Sequence, residues 1–312
     1  MSLAQTTKLE ILRDRASMFG QARTFFQKRG IIEVDCPILT QEASVDAYID
    51  LLPATYCGKE VRYLHSSPEY GMKRLLAEGI GDIYQLSHVF RDGECGEKHN
   101  PEFTMAEWYR VGLPFHAMIA ETLDFVRLFI GDHPAETLTY RQAFLAHTSL
   151  DPFLAPEKAL LEFCQTNQIP YYPNLLEEGR DALLNLILGA FIEPKFQGLV
   201  ALTSYPASQA ALAKTRQEEG VTVADRFEIY YNGVELANGY HELSDPEEQL
   251  RRFQEANKKR TEPLPIDTRF LSALHQGFPD CCGVAVGFDR LMMLRHNTSH
   301  IRDILPFGWQ EA

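Results

Sequence analysis

Two acidic side chains flank a tight turn in the segment DRFEIYYNGVELANGYHELSD. Asn232-Gly233 lies between two β-rich runs, which is the strongest short-range signal for a two-residue hairpin turn. Tyr230 should then pair with Glu235, which puts Glu228 and Glu235 on one sheet face, about 7–8 Å apart. Two carboxylates that face one space repel each other unless a cation or a proton resolves them. Because Mg²⁺ favours a few carboxylates together with substrate phosphates, we expect a magnesium site here.

A third acidic residue of this segment, Glu242, lies seven residues after Glu235 and would face away in a regular strand. The regular register pairs Glu228 with Ala237. We therefore predict a β-bulge at Asn238-Gly239, where glycine suits the bulged backbone, because the bulge would return Glu242 to the same face. A solvent-exposed charged hairpin is the alternative.

A second segment reads strand, polar loop, strand over residues 83–110. Alternation puts Phe103, Glu107 and Tyr109 on one face of the second strand. An aromatic ring at one end could stack on a base, and a tyrosine at the other end could reach a second ligand, unless both rings are core. Arg91 ends the first strand and carries a bidentate guanidinium that suits phosphate.

The segment CCGVAVGFDRLMMLRH predicts a strand followed by a helix. Gly283, Ala285 and Gly287 alternate on one strand face and leave it almost bare, which marks close approach by a ligand or by another backbone. Asp289 is expected to cap the helix, and Arg290 lies in its first turn, so this helix end should attract an anion. Tight packing of the helix against the sheet is the alternative.

Ser67-Pro68-Glu69 precedes a short helical pattern in HSSPEYGMKRLL. A serine cap with Pro68 at the first helical position would be a sufficient structural explanation. If Glu69 is buried, however, it needs a positive partner, and a substrate amine would provide one.

The sequence outside these four segments predicts the helices and strands that must position them. Residues 8–29 predict an amphipathic helix capped by Gly30, residues 114–195 are mainly helical, and residues 244–260 carry a full helix signature. The basic triplet 258–260 suits the negative end of that helix, with nucleic-acid binding as the alternative. The order of helix, strands, helices, strands and helix predicts an α+β fold with a mostly antiparallel sheet flanked by helices. The apolar face of the first helix should consist of Leu9, Leu12, Ala16, Phe19, Ala22 and Phe26.

Composition narrows the functional classes. The 312 residues are 45% hydrophobic, which excludes a disordered or fibrous chain. Acidic residues outnumber basic ones by 43 to 30, and the formal charge of −13 argues against a general binder of nucleic acid or membrane surfaces. No apolar run approaches the roughly 20 residues of a membrane span, and the polar N-terminus is not a signal peptide. The six cysteines form no CxxC pair, so we expect free thiols in a reducing cytoplasm.

Taken together, these segments resemble the class II aminoacyl-tRNA synthetases, and in particular the catalytic domain of lysyl-tRNA synthetases. GIIEVDCPIL resembles motif 1, a dimer-interface element, FRDGECGEKHNPEFTMAEWYR resembles motif 2, and GVAVGFDRLMML resembles motif 3. Within that family the strongest resemblance is to a short bacterial paralogue that ligates lysine to elongation factor P. The resemblance runs from about residue 8 to the end. It implies one catalytic domain over residues 1–312, with the helical segment within it and no N-terminal anticodon-binding OB-fold.

The resemblance also assigns roles to residues. It implies that Arg91 and Arg290 are catalytic and hold the α- and γ-phosphates of ATP. The whole set that it assigns to ATP is Arg91, Asp92, Gly93, Glu94, Asn100, Phe103, Glu235, Leu236, Gly287 and Arg290. The set that it assigns to the amino acid is Ser67, Pro68, Glu69, Tyr109, Glu242 and Ala285. The magnesium ligands that it implies are Glu228 and Glu235. Motif 2 usually reads Arg-x-Glu, whereas this chain has Gly93 at the third place and a glutamate one place later.

The activity that the resemblance implies is an ATP-dependent ligation with Mg²⁺. The carboxylate of lysine or (R)-β-lysine attacks the α-phosphorus, pyrophosphate leaves, and a lysine side chain of elongation factor P then takes the aminoacyl group and releases AMP. Ala285 stands where lysyl-tRNA synthetases typically have glycine, which is consistent with a β-amino substrate. We expect a cytoplasmic homodimer with no membrane partner and no tRNA. A minimal lysyl-tRNA synthetase and a non-catalytic paralogue that binds an amino acid or RNA are the alternatives.

Overall fold

The computed structural model describes residues 7–42 and 44–312. The chain divides into two compact units, the first formed by the residues up to 132 and from 243 onward, the second by residues 133–242. One catalytic domain over residues 1–312 stays a prediction.

The secondary structure follows the predicted order of helix, strands, helices, strands and helix. The helices are α1 (Lys8–Gln27), α2 (Glu69–Ala77), α3 (Phe115–Ile130), α4 (Tyr140–Thr148), α5 (Glu157–Thr166), α6 (Arg180–Ile187), α7 (Pro246–Lys259), α8 (Thr268–Gly277) and α9 (Phe288–Arg295). The strands are β1 (Ile32–Glu33), β2 (Leu39–Thr40), β3 (Pro53–Tyr56), β4 (Glu60–Leu64), β5 (Ile83–Phe90), β6 (Glu102–Val111), β7 (Ala135–Thr139), β8 (Leu199–Pro206), β9 (Thr215–Glu218), β10 (Val221–Tyr231), β11 (Val234–His241) and β12 (Cys281–Gly287).

The first unit contains the sheet strands β1, β5, β6 and β12 in that spatial order, and a small sheet in the order β2, β4, β3. β1 runs parallel to β5, and the other pairs are antiparallel. The pairing of Ile83 with Tyr109 and of Phe90 with Glu102 confirms the predicted strand–loop–strand segment. The even-numbered face of β6 packs on the core, where Trp108 lies against Phe26.

The second unit contains β11, β10, β8 and β7 in that order, with β9 also on β10. Only the β7–β8 pair in this set is parallel. Helices α4, α5 and α6 pack on this sheet through a core that includes Phe144, Leu160 and Leu184. An α+β fold with mostly antiparallel strands flanked by helices is thereby confirmed.

The buried face of α1 is rotated from the predicted one. The residues that it buries are Ile11, Arg15, Met18, Ala22, Phe25 and Phe26. Leu9 is exposed, and Ala16 is exposed too. The expectation failed because a charged residue, Arg15, occupies the centre of the buried face, where a pattern of apolar residues cannot reveal it. The helix ends at Gln27, two residues before the predicted end, but Gly30 closes it as predicted, since its N–H bonds to the carbonyl of Gln27 at a φ of +70°.

Asp289 does not cap α9, contrary to expectation. It lies inside the helix, after the N-cap Gly287. Its carboxylate accepts a bond of 2.5 Å from Arg15 and one of 2.7 Å from the N–H of Thr104. Burial of a carboxylate is costly in free energy unless it is paired and hydrogen-bonded, so Asp289 binds these partners instead of capping the helix. Asp289 therefore fastens α1 and β6 to the start of α9.

The β10–β11 hairpin turns where predicted but bulges elsewhere. Tyr230 pairs with Glu235 as expected, whereas Ile229 pairs with Ala237, so Leu236 is the extra residue. The ladder then runs regularly through Asn238 and Gly239, so the bulge predicted there is wrong. Both Leu236 and Ala237 are buried. A regular strand would turn one of these neighbours to the opposite face, and the bulge removes that conflict.

The bulge at Leu236 has the effect that was predicted for a bulge at Asn238-Gly239, because it returns the end of β11 to the register that puts Glu242 on the face of Glu228. Glu228 pairs with Asn238 rather than with Ala237. Side chains of directly paired residues lie on the same face, so Asn238 and Tyr240 face with Glu228. Continued alternation assigns Glu242 to that face as well.

A substitution at the hairpin turn should destabilise the second unit. Gly233 has φ +77°, and a Cβ built there would lie 2.7 Å from the carbonyl oxygen of Glu193. Gly220, in the β9–β10 turn, has φ +79° but open space around a Cβ. We expect Gly220→Ala to cost about 1–2 kcal/mol from backbone strain alone, and Gly233→Ala about 1–3 kcal/mol more from the collision. Urea denaturation of both variants measures the difference, and equal midpoints would contradict this reading.

Two further expectations bear on the class of protein. All six cysteines are free thiols, as predicted. Within residues 7–42 and 44–312, every helix is too short or too polar to cross a membrane.

Candidate active site

Arg91 leaves the end of β5 and turns its guanidinium over the ring of Phe103, 5.1 Å from the ring centroid. Its backbone N–H bonds to the carbonyl of Pro101, which closes the base of the loop between β5 and β6. Among the residues that the structure describes, its buried Nε has no hydrogen-bond partner. An arginine with an unused buried donor is suited to receive an anion. The two predicted ATP contacts Arg91 and Phe103 are therefore brought together.

The loop after Arg91 explains the departure of motif 2 from its usual pattern. Gly93 has φ +75°, a conformation that a glutamate at this place would adopt only with strain. Its N–H bonds to Asp92 Oδ1, which fixes the turn. The next residue, Glu94, places its carboxylate 3.7 Å from the Arg91 guanidinium. The carboxylate missing at Gly93 is thus present one residue later, beside the same arginine.

Arg260, the last residue of the basic triplet, holds the motif 2 loop indirectly, through the segment 46–50. Its guanidinium donates to the carbonyls of Asp46 and Ile49 and to the carboxylate of Asp50. The carbonyl of Asp50 in turn accepts the N–H of Asp92. Arg260 therefore has a structural role in holding the motif 2 loop, in addition to the favourable charge that the triplet brings to the end of α7.

Arg290 lies in the first turn of α9, as predicted, and is oriented by a residue that the sequence did not single out. Its Nη2 lies 2.8 Å from Nε2 of His99. Partial burial and the Arg290 charge lower the pKa of His99, so a neutral imidazole accepts the bond. The adjacent Asn100 donates to the carbonyl of Glu102 and accepts from the backbone N–H of Trp309. The motif 2 loop thus contacts both α9 and the C-terminal segment.

Two of the three residues on the predicted bare face of β12 are partly exposed, whereas the third, Gly283, is buried. Val284 and Val286 are buried on one side, whereas Ala285 and Gly287 remain partly exposed on the other. Ala285 pairs directly with Glu107 of β6, so its methyl group lies beside that carboxylate on the same face.

The predicted amino-acid residues of the first unit converge on Glu107. Ser67 Oγ donates to Glu107 at 2.7 Å, and Tyr109 OH donates to its other oxygen at 2.7 Å. Ser67 Oγ also accepts the N–H of Glu69, whose carboxylate binds Lys73 Nζ at 2.6 Å. The serine thus both fixes the start of α2 and faces the site. Pro68 precedes the helix rather than occupying its first position.

Glu107 and Lys73 are the two residues of this cluster that sequence reasoning missed. Both are almost fully buried, at 2% and 1% exposed. Burial, and then the nearby charge of Glu69, raises the pKa of Glu107 to about 8. The alternation of β6 had placed Glu107 on the ligand face beside Tyr109. A charged residue between apolar ones on such a face was the signal that could have found it.

The acidic residues of the second unit lie on one sheet face, as predicted. Glu228 accepts from Tyr205 at 2.6 Å, from Arg226 at 2.5 Å and from Tyr230. Burial, and then the charge of Glu228, raises the pKa of Tyr230. Glu235 pairs with Tyr230 and is partly exposed.

The donor chemistry of Glu228 and Glu235 fits a magnesium ion that is shared with phosphate oxygens. Within residues 7–42 and 44–312, three or more acidic, histidine or cysteine side chains nowhere gather as a metal cage. Mg²⁺ commonly takes one or two carboxylates plus substrate phosphates, so a pair is enough.

Asn238 and Glu242 are the remaining polar residues that the register assigns to the Glu228 face of the second unit. Asn238 donates to Tyr240 OH at 2.8 Å, but its buried Oδ1 has no partner within the described part of the chain. Glu242 is buried and forms a backbone bridge with Ala213. Leu236 is buried as the bulge residue, so any contact with a nucleotide would come from its backbone. The sequence would have indicated Asn238 only if the bulge had been placed at Leu236, because that register pairs Asn238 with Glu228.

The chain is similar to known proteins along nearly its whole length. The family described as class II tRNA synthetases (D, K and N) matches residues 1–311. The elongation factor P–(R)-beta-lysine ligase of Vibrio vulnificus (strain YJ016) is 42% identical, over 98% of each chain. The protein of the same name from Haemophilus ducreyi is 40% identical, over 98% of this chain and 96% of its own. This chain belongs to the family of class II tRNA synthetases.

Proposed function

We propose that this protein activates lysine or (R)-β-lysine with ATP and transfers the aminoacyl group to a lysine side chain of elongation factor P. The observation that carries the proposal is the acidic cluster in which Ser67 and Tyr109 donate to the buried Glu107, with the partly exposed Glu69 carboxylate close to it. A substrate with two amines suits such acidic pockets. The names of the similar ligases from Vibrio vulnificus and Haemophilus ducreyi supply the acceptor.

Activation of the amino acid requires positioning and charge stabilisation, without a protein nucleophile. Arg91 would hold the α-phosphate and Arg290 the γ-phosphate, while Phe103 stacks on the adenine. The amino-acid carboxylate forms a bond to the α-phosphorus as the bond to pyrophosphate breaks. Fixed arginine charges stabilise the negative charge that develops on the phosphate oxygens, since they need no reorganisation during the reaction.

Glu228 and Glu235 would hold Mg²⁺ in this proposal. When bound, the ion would neutralise phosphate charge and so favour departure of pyrophosphate. Arg226, Tyr205 and Tyr230 donate to the Glu228 carboxylate and orient it, and Glu235 is the more accessible ligand.

The preference for a β-amino acid rests on Ala285. Its methyl group lies on the strand face beside Glu107, to which it is directly paired. A methyl group there narrows the space next to an amine-binding carboxylate. We therefore assign to Ala285 the discrimination between the positions of the substrate amine.

The assembly that we propose is a cytoplasmic homodimer. The segment that resembles motif 1 exposes Ile32, Ile38 and Leu39, and neighbouring β4 exposes Val61. Several exposed large apolar side chains in one region are typical of a protein interface. The free thiols suit a reducing compartment.

ATP–pyrophosphate exchange tests the activation step. Exchange should depend on added lysine or (R)-β-lysine and on Mg²⁺, and leucine should not support it, because leucine lacks the second amine. The pair of lysine isomers measures the preference assigned to Ala285, and Ala285→Gly should improve the ratio in favour of α-lysine. Absence of exchange with both isomers would overturn the proposal and would favour a non-catalytic paralogue.

A further inference from the structure

The carboxylate of Glu107 is enclosed by titratable groups from several elements of the first unit. Ser67, before α2, and Tyr109, on β6, each bond to one of its oxygens. Glu69 and Lys73 of α2 form an ion pair next to it. The thiol of Cys36 is also within electrostatic reach, since burial, then the charge of Glu107, raises the pKa of that thiol to about 11.

The positive and negative charges of these groups do not cancel when Glu107 is ionised. Lys73 supplies one positive charge, which its bond of 2.6 Å commits to Glu69. The thiol of Cys36 and the hydroxyls of Ser67 and Tyr109 are neutral near pH 7. An ionised Glu107 would leave one uncompensated negative charge in a site where it is only 2% exposed. Such a charge is costly unless a cation or a proton neutralises it.

We propose that Glu107 carries a proton when no amino acid is bound, and that the substrate ammonium displaces this proton into solvent. The inference rests on the proposed function, since it assigns a substrate amine to this cluster. Binding then exchanges one positive charge for another: the ammonium enters, the O–H bond of Glu107 breaks, and the buried cluster keeps its total charge.

The two hydroxyls beside Glu107 suit both states. A hydroxyl can donate to an ionised carboxylate or accept from a protonated one. Ser67 and Tyr109 can therefore reverse one hydrogen bond when the proton leaves, without movement of the backbone. The pKa of about 8 for Glu107, raised by burial and by Glu69, agrees with a protonated carboxyl at neutral pH.

Titration calorimetry measures the exchanged proton directly. Lysine or (R)-β-lysine is titrated into the protein in buffers of different ionisation enthalpy, and the slope of the observed enthalpy gives the protons released. We expect close to one proton per amino acid at about pH 7, falling as the pH rises through about 8. Glu107→Gln keeps the shape of the side chain but has no proton to release, so its enthalpy should not depend on the buffer.

Infrared spectroscopy of the free protein gives a second measurement that needs no substrate. At about pH 7 the wild type should show a protonated-carboxyl band that Glu107→Gln lacks, and the added amino acid should remove it. A missing band, or a buffer-independent enthalpy in a protein that still catalyses exchange, would overturn this inference and leave the proposed function standing. Absence of both amino-acid binding and exchange would overturn the proposed function, while the infrared band would still decide whether Glu107 is protonated.

Discussion

Arg91→Ala should lower the rate of ATP–pyrophosphate exchange by about 10²–10³-fold while the protein remains folded. Removal of one preorganised donor to a developing oxyanion has an effect of that size. The fold should survive because the guanidinium contacts that the described residues show are local, namely Glu94 at 3.7 Å and the ring of Phe103. The exchange rate at saturating ATP and lysine, with circular dichroism as the check on folding, measures the effect.

Two variants make the Arg91 prediction specific. Arg91→Lys keeps the charge but loses the planar fork, so it should recover only part of the activity. Arg251→Ala removes an exposed arginine of α7, paired with Glu248 and Glu255, and should leave exchange nearly unchanged. If Arg91→Ala and Arg251→Ala gave the same rate, Arg91 would have no part in catalysis.

Arg15→Met should lower the free energy of unfolding by about 3–5 kcal/mol. The substitution removes the cation from a buried pair and leaves the Asp289 carboxylate uncompensated, which has a cost of that order. Arg15 also donates to Thr104 at 2.8 Å, so a further bond is lost. Urea denaturation followed by fluorescence and by circular dichroism measures the change.

The matched control is Arg23→Ala on the same helix. Arg23 pairs with Glu33, but both side chains are about half exposed, and exposed pairs contribute only about 0–1 kcal/mol. The double variant Arg15→Met/Asp289→Asn should regain part of the lost stability, because no buried charge then remains. An Arg15→Met protein as stable as Arg23→Ala would show that Asp289 finds another partner.

Local patterns predicted most of the framework. The turn at Asn232-Gly233, the strands on either side of the motif 2 loop and the bare face of β12 all follow from two-residue alternation and turn chemistry. These features depend on residues that are close in the chain, so the sequence shows them directly.

Features that depend on distant residues were not predictable in the same way. Arg15 and Asp289 are 274 residues apart in the chain, and each looked ordinary in its own helix. The bulge at Leu236 allows both apolar neighbours, Leu236 and Ala237, to be buried, and its position is therefore decided by packing rather than by glycine preference. The lowered pKa of His99 likewise depends on its burial and then on the charge of Arg290 in another element.

The site residues likewise divide into those that the local sequence indicates and those that depend on distant residues. Ser67, Glu69 and Tyr109 were singled out by their own segments, and the structure joins them. Glu107 stood on the same predicted face, yet its importance appears only when Lys73 and Glu69 are seen to enclose it. The joint presence of one buried carboxylate, one partly exposed carboxylate and the lysine that pairs with it could not be derived from the spacing of either segment.

The most direct test of the central claim is mass spectrometry of elongation factor P after incubation with the protein, ATP, Mg²⁺ and lysine or (R)-β-lysine. We expect that one lysine side chain of elongation factor P gains the mass of one lysyl or β-lysyl group, and that Arg91→Ala abolishes this gain. Charging of tRNA with lysine, while elongation factor P keeps its original mass, would contradict it.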